Sequence, residues 1–325
     1  MRMMIPARIN GSAPFARAVL DGLAQPQKRI PCEWLYDRRG SELFELITEL
    51  PEYYPTRTEI ALLRQHAGEI ADAVGNAAVV VEIGSGSSRK TPLLLGALDQ
   101  PQAYVPVDIA AHCLDAAVRR LRADFAEFNN VALLPLLADF NAPLSLPAPL
   151  GEAVGTKLGF FPGSTIGNLD PDAALAFLQR MAGTLGARGM MLIGVDMTAD
   201  ADLLIPAYDD AAGVTAAFNL NLLQRANREL EADFAPAAFR HQARYDRVRG
   251  RVEMHLVSRW RQTAQVLGER FDFAEGESIH TENSYKYPIA DFQALAGRAG
   301  WSAVGCWCDA RQRFSLHLLR RADAA

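Results

Sequence analysis

Residues 79–91 read VVVEIGSGSSRKT and join an apolar run to a glycine-rich turn. The continuous apolar run suits a central parallel strand that is buried on both faces. A turn at the carboxyl end of such a strand is where open α/β sheets bind their ligands. Gly84 and Gly86 would let the backbone come close to a bulky ligand, because glycine has no Cβ. The stretch therefore predicts an α/β sheet with a ligand site at this turn.

The spacing within the turn separates the ligand classes that use it. The dinucleotide fingerprint G-x-G-x-x-G would place a third glycine at position 89, where this chain has Arg89. The phosphate-binding P-loop G-x-x-x-x-G-K-[ST] matches Lys90 and Thr91 but also needs a glycine at position 89. What remains is the E-x-G-x-G turn typical of S-adenosylmethionine (SAM) enzymes, with a purely structural strand-to-helix turn as the alternative.

Acidic residues also end the next two predicted strands. The run AYVPVDIA contains Asp108 at its tip, where a carboxylate can accept both ribose hydroxyls of an adenosine, as in NAD and SAM sites. The run VALLPLLADF ends in Asp139 and Phe140, which suit the amino group and the ring face of adenine. Each acid could instead cap a following helix. Together the strand ends favour a nucleoside ligand.

Composition indicates an enzyme that acts on a small molecule. The chain has 325 residues, 50% of them hydrophobic, a net charge of −5 and a pI of about 5.7. This length predicts one and a half to two domains, and the charge argues against a nucleic-acid partner. No apolar run approaches the roughly 20 residues of a membrane span, and the amino terminus lacks the apolar core of a signal peptide. We expect no membrane association, a cytoplasmic location and a monomer.

The cysteines give no sign of a metal site. Cys32, Cys113, Cys306 and Cys308 form no C-x-x-C pair and have no zinc-type spacing, so we expect reduced thiols and no metal. Cys306 and Cys308 lie in an apolar alternating stretch, which predicts that they are small core residues.

The fold class follows from the order of predicted elements. Helical periodicity over 58–75 and alternating strands and helices over 76–197 predict a doubly wound, mostly parallel sheet. Residues 301–321 read as two apolar strands joined by a polar turn, and such a carboxyl-terminal antiparallel hairpin is typical of Rossmann-like SAM methyltransferases. Residues 202–230 are predicted to be one long helix, and 244–260 to be strand-like. The expected fold is therefore an α/β core of residues 58–196 and 287–325, plus a smaller α+β substrate-binding domain of residues 10–57 and 197–286.

Six strings carry a specific resemblance over most of the chain. They are YDRRGSELFELI (36–47), LPEYYPTRTE (50–59), EIGSGSSRKT (82–91), GSTIGNL (163–169), AYDDAAGVTAAFN (207–219) and TENSYKY (281–287). In their order and spacing the chain resembles the histidine Nα-methyltransferases of ergothioneine biosynthesis. The resemblance implies that SAM is the methyl donor, that L-histidine is the small-molecule substrate, and that trimethylation of its α-amino group gives hercynine.

The resemblance also implies roles for single residues. The cofactor-binding positions are Gly84, Lys90, Asp108, Asp139 and Phe140. The amino acid portion of the substrate is expected at Tyr53, Asn168 and Tyr208, its imidazole at Glu282 and Ser284, and Met254 joins this substrate-binding set. Tyr36 and Phe44 match aromatic positions close to the reacting amine, where their rings could stabilise a methylammonium charge by cation-π contact.

Several of these residues also have a plain structural interpretation. Tyr53 suits a core aromatic, and Asn168 after Gly167 suits a turn. Glu282 would more often be a solvated acid, and Tyr208 could extend to the surface. The resemblance, rather than the residue types, favours the functional roles.

Two other functions stay open at this point. One is a SAM methyltransferase for a different amino acid or small amine, because Asn283, Tyr285 and Tyr287 depart from what is typical of the family. The other is a SAM-sensing or scaffold protein that has lost turnover. The presence of Tyr53, Asn168 and Glu282 favours an active enzyme.

Overall fold

The computed structural model describes residues 13–75, 79–86, 89–109, 111–124, 131–140, 142–147, 150 and 155–322, apart from the side chains of residues 112, 113, 116 and 124. The chain divides into two compact units. Unit 1 comprises Met1–Tyr53 and Asp200–Ser284, and unit 2 comprises Tyr54–Ala199 and Tyr285–Ala325. Each unit is thus assembled from two separate stretches of the chain.

Unit 1 is an α+β structure. Its helices are α1 (Ala13–Leu23), α2 (Arg38–Glu49), α7 (Ala201–Tyr208) and α8 (Val214–Glu229). Its strands are β7 (Phe239–Asp246), β8 (Arg251–Ser258), β9 (Gln262–Val266), β10 (Glu269–Phe273) and β11 (Ser278–Tyr285, whose last residue belongs to unit 2). The strands form one sheet in the order β11-β8-β7 and a β9-β10 hairpin. Asp37 joins helices α2 and α8, since its Oδ1 accepts from the Gly40 amide and the Asn221 amide group, each at 2.7 Å.

Unit 2 is built on a twisted α/β sheet. Its helices are α3 (Tyr54–Val74), α4 (Thr91–Leu95), α5 (Ala111–Asp124), α6 (Pro171–Leu185) and α9 (Ile289–Arg298). Its strands are β1 (Val79–Ile83), β2 (Ala103–Asp108), β3 (Ala132–Leu133), β4 (Leu136–Leu137), β5 (Lys157–Phe161), β6 (Met190–Asp196), β12 (Trp301–Cys308) and β13 (Phe314–Arg321). The sheet order is β12-β13-β6-β5-β1-β2-β3, with β4 also pairing with β2.

Strand directions confirm the predicted fold class. Strand β1 runs parallel to β2 and β5, and β5 runs parallel to β6, whereas β13 pairs antiparallel with both β6 and β12. Strand β1 is fully buried because its alternate side chains enter two different cores. Val79 and Val81 belong to one core and Val80 to the other. The apolar run of the sequence is therefore the centre of a sheet covered on both faces.

Three local predictions were wrong. The predicted third strand is interrupted at Pro135, which lies between β3 and β4 and has no amide hydrogen to donate. The predicted long helix over 202–230 is divided into α7 and α8, because Gly213 adopts a φ of 74° and Asp210 accepts from the Val214 and Thr215 amides to begin α8. Cys306 and Cys308 are exposed on the edge strand β12 rather than in the core.

Among the described residues, no helix combines the length and the apolar character needed to cross a membrane. Cys32, Cys306 and Cys308 are free thiols, while the side chain of Cys113 lies outside the described part of the chain.

Candidate functional site

The glycine-rich turn after β1 is tied directly to the end of β2. The Gly84 and Ser85 amides donate to the Val107 carbonyl at 2.9 and 3.2 Å, and the Gly86 amide donates to Asp108 Oδ2 at 3.1 Å. Gly84 and Gly86 have φ values of 69° and 46°, in the left-handed region that favours glycine. The structure therefore brings together two of the predicted cofactor segments, the turn and Asp108.

Asp139 and Phe140 follow β4 beside the same strand end. The Ala138 amide donates to the Asp108 carbonyl at 3.1 Å, which holds this segment along β2. Asp139 is exposed, and Phe140 is half-buried with its ring edge-on to Phe161 and Phe177 at centroid distances of 5.7 and 5.8 Å. Both side chains of the predicted adenine pair thus lie at the carboxyl edge of the sheet.

Lys90, the remaining predicted cofactor residue, forms an ion pair with the fully buried Glu59 of α3. The two Glu59 oxygens also accept from the Gly163 amide, at 2.9 and 3.0 Å. Sequence reasoning missed Glu59. A usable signal was present, since Glu59 stands on the same helical face as the buried residues Leu62 and Leu63, where a charged residue is unusual.

A second buried carboxyl belongs to the strand that carries the turn. Glu82 accepts from Thr91 Oγ1 at 2.5 Å and from the Tyr104 hydroxyl. Burial raises its pKa to about 7, with the hydrogen bonds from Thr91 and Tyr104 acting in the opposite direction. Glu82 thus fixes the start of α4 to strands β1 and β2, next to the cofactor turn.

In unit 1 the predicted aromatic residues form one cluster. The ring of Tyr36 lies edge-on to Phe44 and Phe218, at centroid distances of 5.5 and 5.4 Å. Phe44 contacts Tyr53 at 6.3 Å, and Tyr53 contacts Tyr208 at 6.1 Å. Phe218 of α8 was not predicted, although it stands in the string AYDDAAGVTAAFN that supported the resemblance.

Polar groups of the predicted substrate set adjoin these rings. The Tyr208 hydroxyl and Ser284 Oγ are hydrogen-bonded at 2.8 Å, and Tyr208 is buried rather than extended to the surface. The pKa of Tyr36 lies well above its ordinary value, first because of burial and next because of the nearby Glu282. Glu282 and Ser284 are both buried residues of β11. The cluster therefore combines a carboxylate, hydroxyls and aromatic rings.

Met254 is placed by the neighbouring strand. It is buried in β8, the strand beside β11, and its carbonyl accepts from Thr281 Oγ1 at 3.0 Å. Thr281 directly precedes Glu282, so this hydrogen bond helps to fix the position of that part of β11.

Asn168 belongs to unit 2, unlike the other predicted substrate residues. It ends the 3₁₀ turn Thr165–Asn168, which follows β5 and begins after Ser164 with a φ of 56°. Gly167 packs so closely on Tyr285 that an added Cβ would lie 2.6 Å from the Tyr285 carbonyl oxygen. Asn168 thus lies in a turn, and its role in substrate binding stays a prediction.

One group of described residues, Glu253, His255 and His280, has metal-ligand atoms within 4.8 Å of one another. The two imidazole rings stack with an interplanar angle of 28°, whereas an ion shared by both would have to lie in the plane of each ring. His255 Nε2 and Nδ1 already contact Glu253 and Ser278, at 3.0 and 3.1 Å, and burial lowers the pKa of His255 to about 4. The geometry favours a hydrogen-bonded network over a metal site.

Known proteins resemble this chain over nearly all of its length. The chain matches the family model of histidine-specific, SAM-dependent methyltransferases over residues 15–321. It is 41% identical over 313 residues to a histidine N-alpha-methyltransferase of Mycobacterium tuberculosis (strain CDC 1551 / Oshkosh), covering 95% of each chain. It is also 41% identical over 311 residues to the protein of that name from Mycolicibacterium smegmatis, covering 94% of each chain.

A fungal relative shares only part of its length. Ergothioneine biosynthesis protein 1 of Neurospora crassa is 32% identical over 304 residues, which are 91% of this chain and 33% of that protein. The family match and the similarity to the mycobacterial proteins cover nearly all of this chain and confirm the resemblance drawn from its six strings. This chain belongs to the family of histidine-specific, SAM-dependent methyltransferases.

Proposed function

We propose that this protein transfers methyl groups from SAM to the α-amino nitrogen of L-histidine and produces hercynine, the first step of ergothioneine biosynthesis. Family membership and the named mycobacterial relatives support the reaction and the substrate. The single structural observation that carries the proposal is the cluster in unit 1, where Tyr208 and Ser284 are hydrogen-bonded beside Glu282 and Tyr36.

The residues of unit 2 fit the proposed methyl donor. SAM supplies an electrophilic methyl group on a sulfonium, and it must be held by its adenosine and its amino acid portion. The turn is joined to Asp108 through the Gly86 amide, and among the described residues, chain neighbours aside, a Cβ at Gly84 would meet no atom within 4 Å. Asp108 is proposed to accept the ribose hydroxyls, Asp139 and Phe140 to bind adenine, and Lys90 to bind the carboxylate.

The residues of unit 1 fit an amino acid with an imidazole ring. A carboxylate and a hydroxyl two residues apart on a strand share one face, so Glu282 and Ser284 can satisfy both ring nitrogens. Tyr53 and Tyr208 offer hydroxyls for the amino acid portion, and Asn168 of unit 2 is proposed to assist with its amide. Unit 1 would then be the substrate-binding domain and unit 2 the SAM-binding core.

The chemistry requires an unprotonated amine held in line with the methyl group. Because the pKa of Tyr36 is raised well above its ordinary value, its phenol stays neutral and can donate or accept a hydrogen bond without becoming a phenolate. Tyr36, Phe44 and Phe218 can stabilise the methylammonium charge through their ring faces. In this mechanism the protein orients the amine and forms no covalent intermediate.

An incubation with SAM and each amino acid in parallel, followed by mass spectrometry, tests the proposal. Histidine should gain one, two and three methyl groups, and the other amino acids should gain none. Methylation of another amino acid or amine in preference to histidine would favour the alternative substrate. SAM binding without any methylation would favour a protein that has lost turnover.

We also propose that the enzyme acts as a monomer in the cytoplasm and needs no metal. Sedimentation equilibrium should give a mass near 35.5 kDa. Methylation should survive treatment with a chelator, and loss of activity that added divalent metal restores would contradict the metal-free proposal.

A further inference from the structure

Glu59 is a buried carboxylate that joins two turns of unit 2. It lies on α3, five residues after Tyr54, and its side chain is fully buried. It pairs with Lys90, at the end of the turn that follows β1. It also accepts from the amide of Gly163, two residues after the end of β5. One side chain thus holds both turns.

These turns lie at the point where the strand order reverses. Strands β1 and β5 are parallel neighbours; the chain continues from β1 to β2 on one side and from β5 to β6 on the other. Open α/β sheets bind ligands outside the carboxyl ends of strands at such a switch point. Glu59 is therefore placed where a ligand of this sheet is expected.

Keeping the Glu59 carboxylate buried in unit 2 lowers the stability of the fold unless it has partners. Removing a carboxylate from water costs several kcal/mol unless it is paired and hydrogen-bonded, and apolar packing often stabilises a core as well or better. The neighbouring strand also makes room for Glu59, since a Cβ at Gly194 of β6 would lie 2.0 Å from Glu59 Oε1. Gly194 thus leaves room for the Glu59 carboxylate, and Lys90 and the Gly163 amide pair with it. Stability alone does not require a carboxylate at this position.

We propose that Glu59 is a positioning residue for cofactor binding: it holds the Lys90 ammonium and the Gly163 turn where they meet the amino acid portion of SAM. This inference rests on the proposed function. Glu59 itself does not touch the cofactor; it acts through Lys90. When Glu59 is absent, the long Lys90 side chain must be ordered at the moment of binding, and that ordering reduces affinity.

A purely electrostatic role of Glu59 predicts that its removal changes cofactor affinity in the opposite direction. If Glu59 only added negative charge near the carboxylate of SAM, then Glu59→Gln would strengthen binding of that carboxylate. The direction of the change in affinity therefore separates positioning from charge.

The test measures the affinity of S-adenosylhomocysteine (SAH) and of 5′-methylthioadenosine, which lacks the amino acid portion, by titration calorimetry. We expect Glu59→Gln to weaken SAH binding by about twofold to tenfold and to leave methylthioadenosine binding unchanged. In a Lys90→Met background, Glu59→Gln should cause no further loss. Tighter or unchanged SAH binding, or an equal loss for both ligands, would overturn the proposal.

Two further variants serve as controls for the effect of Glu59→Gln on SAH affinity. Glu277→Gln removes the carboxylate partner of Lys28 in unit 1 and should leave SAH affinity unchanged. If Glu59→Gln fails to fold, Glu59→Asp keeps the charge on a shorter side chain and should still weaken SAH binding selectively; no selective loss overturns the proposal. A wild-type protein that does not bind SAH would instead refute the proposed function itself.

Discussion

At the scale of single residues, burial decides which protonation state a side chain keeps. Burial and the nearby Glu282 hold the pKa of Tyr36 well above its ordinary range, so its phenol cannot act as a base near neutral pH. We expect Tyr36→Phe to slow at least one of the methylation steps through loss of a hydrogen bond to the amine. Single-turnover kinetics with histidine, monomethylhistidine and dimethylhistidine measure each step. Unchanged rates for every step would remove Tyr36 from the mechanism.

Glu282 is expected to act on histidine and not on the cofactor. A buried carboxylate that hydrogen-bonds an imidazole contributes far more than an exposed one. Glu282→Ala should therefore weaken histidine binding by about tenfold or more while SAH affinity stays within about twofold. The exposed Glu275 of the same unit provides the control, since Glu275→Ala should change neither affinity. Equal losses of both affinities in calorimetry would count against the assigned role.

Glu82 makes stability depend on pH. Its pKa is raised from 4.5 to about 7, so the folded protein binds more protons than the unfolded chain between these values. The free energy of unfolding therefore falls as pH rises through this range. Glu82→Gln removes the titrating group but keeps an acceptor for Thr91 and Tyr104. As pH rises from about 4.5 to about 8, the free energy of unfolding of the variant should increase by about 3 kcal/mol relative to that of wild type.

Urea titrations of the ligand-free proteins across this range measure the difference. A stability difference between the two proteins that does not vary with pH would show that the pKa of Glu82 is the same in the folded protein as in the unfolded chain.

The spacing of the motif in unit 2 follows a recurring turn, and it predicted that the turn after β1 and the end of β2 lie together. Gly86 and Asp108 are close in space since parallel strand ends meet at one edge of a sheet. Glu59 was missed because its partners, Lys90 and Gly163, are distant in sequence and approach it only through the packing of α3. Phe218 is an ordinary apolar residue of a helix, and only its contacts with Tyr36 and Phe44 distinguish it.

At the scale of elements, a short turn after β5 depends on a missing side chain. A Cβ on Gly167 would lie 2.6 Å from the Tyr285 carbonyl oxygen and 3.2 Å from its amide nitrogen. Backbone atoms cannot move aside as the end of a flexible side chain can. Gly167→Ala should therefore lower the free energy of unfolding by about 2 kcal/mol or more and reduce histidine methylation by displacing Asn168.

Gly183 supplies the matched control. It lies inside helix α6, and apart from the backbone of that helix an added Cβ there would meet no atom of the described residues within 4 Å. Because alanine favours helix over glycine, Gly183→Ala should raise stability by up to about 1 kcal/mol. Chemical denaturation of both variants, with methylation rates, tests the pair. Equal stability of the two alanine variants would mean that the turn tolerates a side chain.

Periodicity predicted most elements of unit 2 and failed where one residue changes the backbone. The apolar runs over β1, β2, β5 and β6 are complete strands, so their prediction was confirmed. The pattern of apolar residues does not show that Pro135 has no amide hydrogen to donate or that Gly213 adopts a positive φ. Helix-like spacing on both sides of residues 209–213 therefore resembled a single helix.

At the scale of the whole molecule, the chain builds each unit from two separate stretches. In unit 2 the second stretch contributes β13, which pairs with β6 of the first stretch. Alternating elements predicted the parallel sheet and its terminal hairpin. They could not predict the buried polar contacts between the stretches, since these pair residues about a hundred positions apart, such as Asp196 and Lys286.

Asp196 is the centre of those contacts. Its fully buried carboxylate accepts from the Tyr54 hydroxyl at 2.6 and 2.8 Å and from Lys286 Nζ at 2.7 Å. Its backbone amide donates to Ser164 Oγ at 2.9 Å. The carboxylate thus connects the start of α3 and the end of β6 with the second stretch of unit 2.

Removing the cation from this network should destabilise unit 2. Lys286→Met leaves Asp196 buried without its ammonium partner, and breaking a buried pair in this way costs about 3 to 5 kcal/mol. Adding Asp196→Asn should recover part of the loss, because the uncompensated charge disappears. Arg270→Met, which breaks the exposed pair with Asp272, should leave stability unchanged. Urea denaturation measures all the variants, and a loss below about 1 kcal/mol for Lys286→Met, or no recovery in the double variant, would show that the network does not hold the two stretches together.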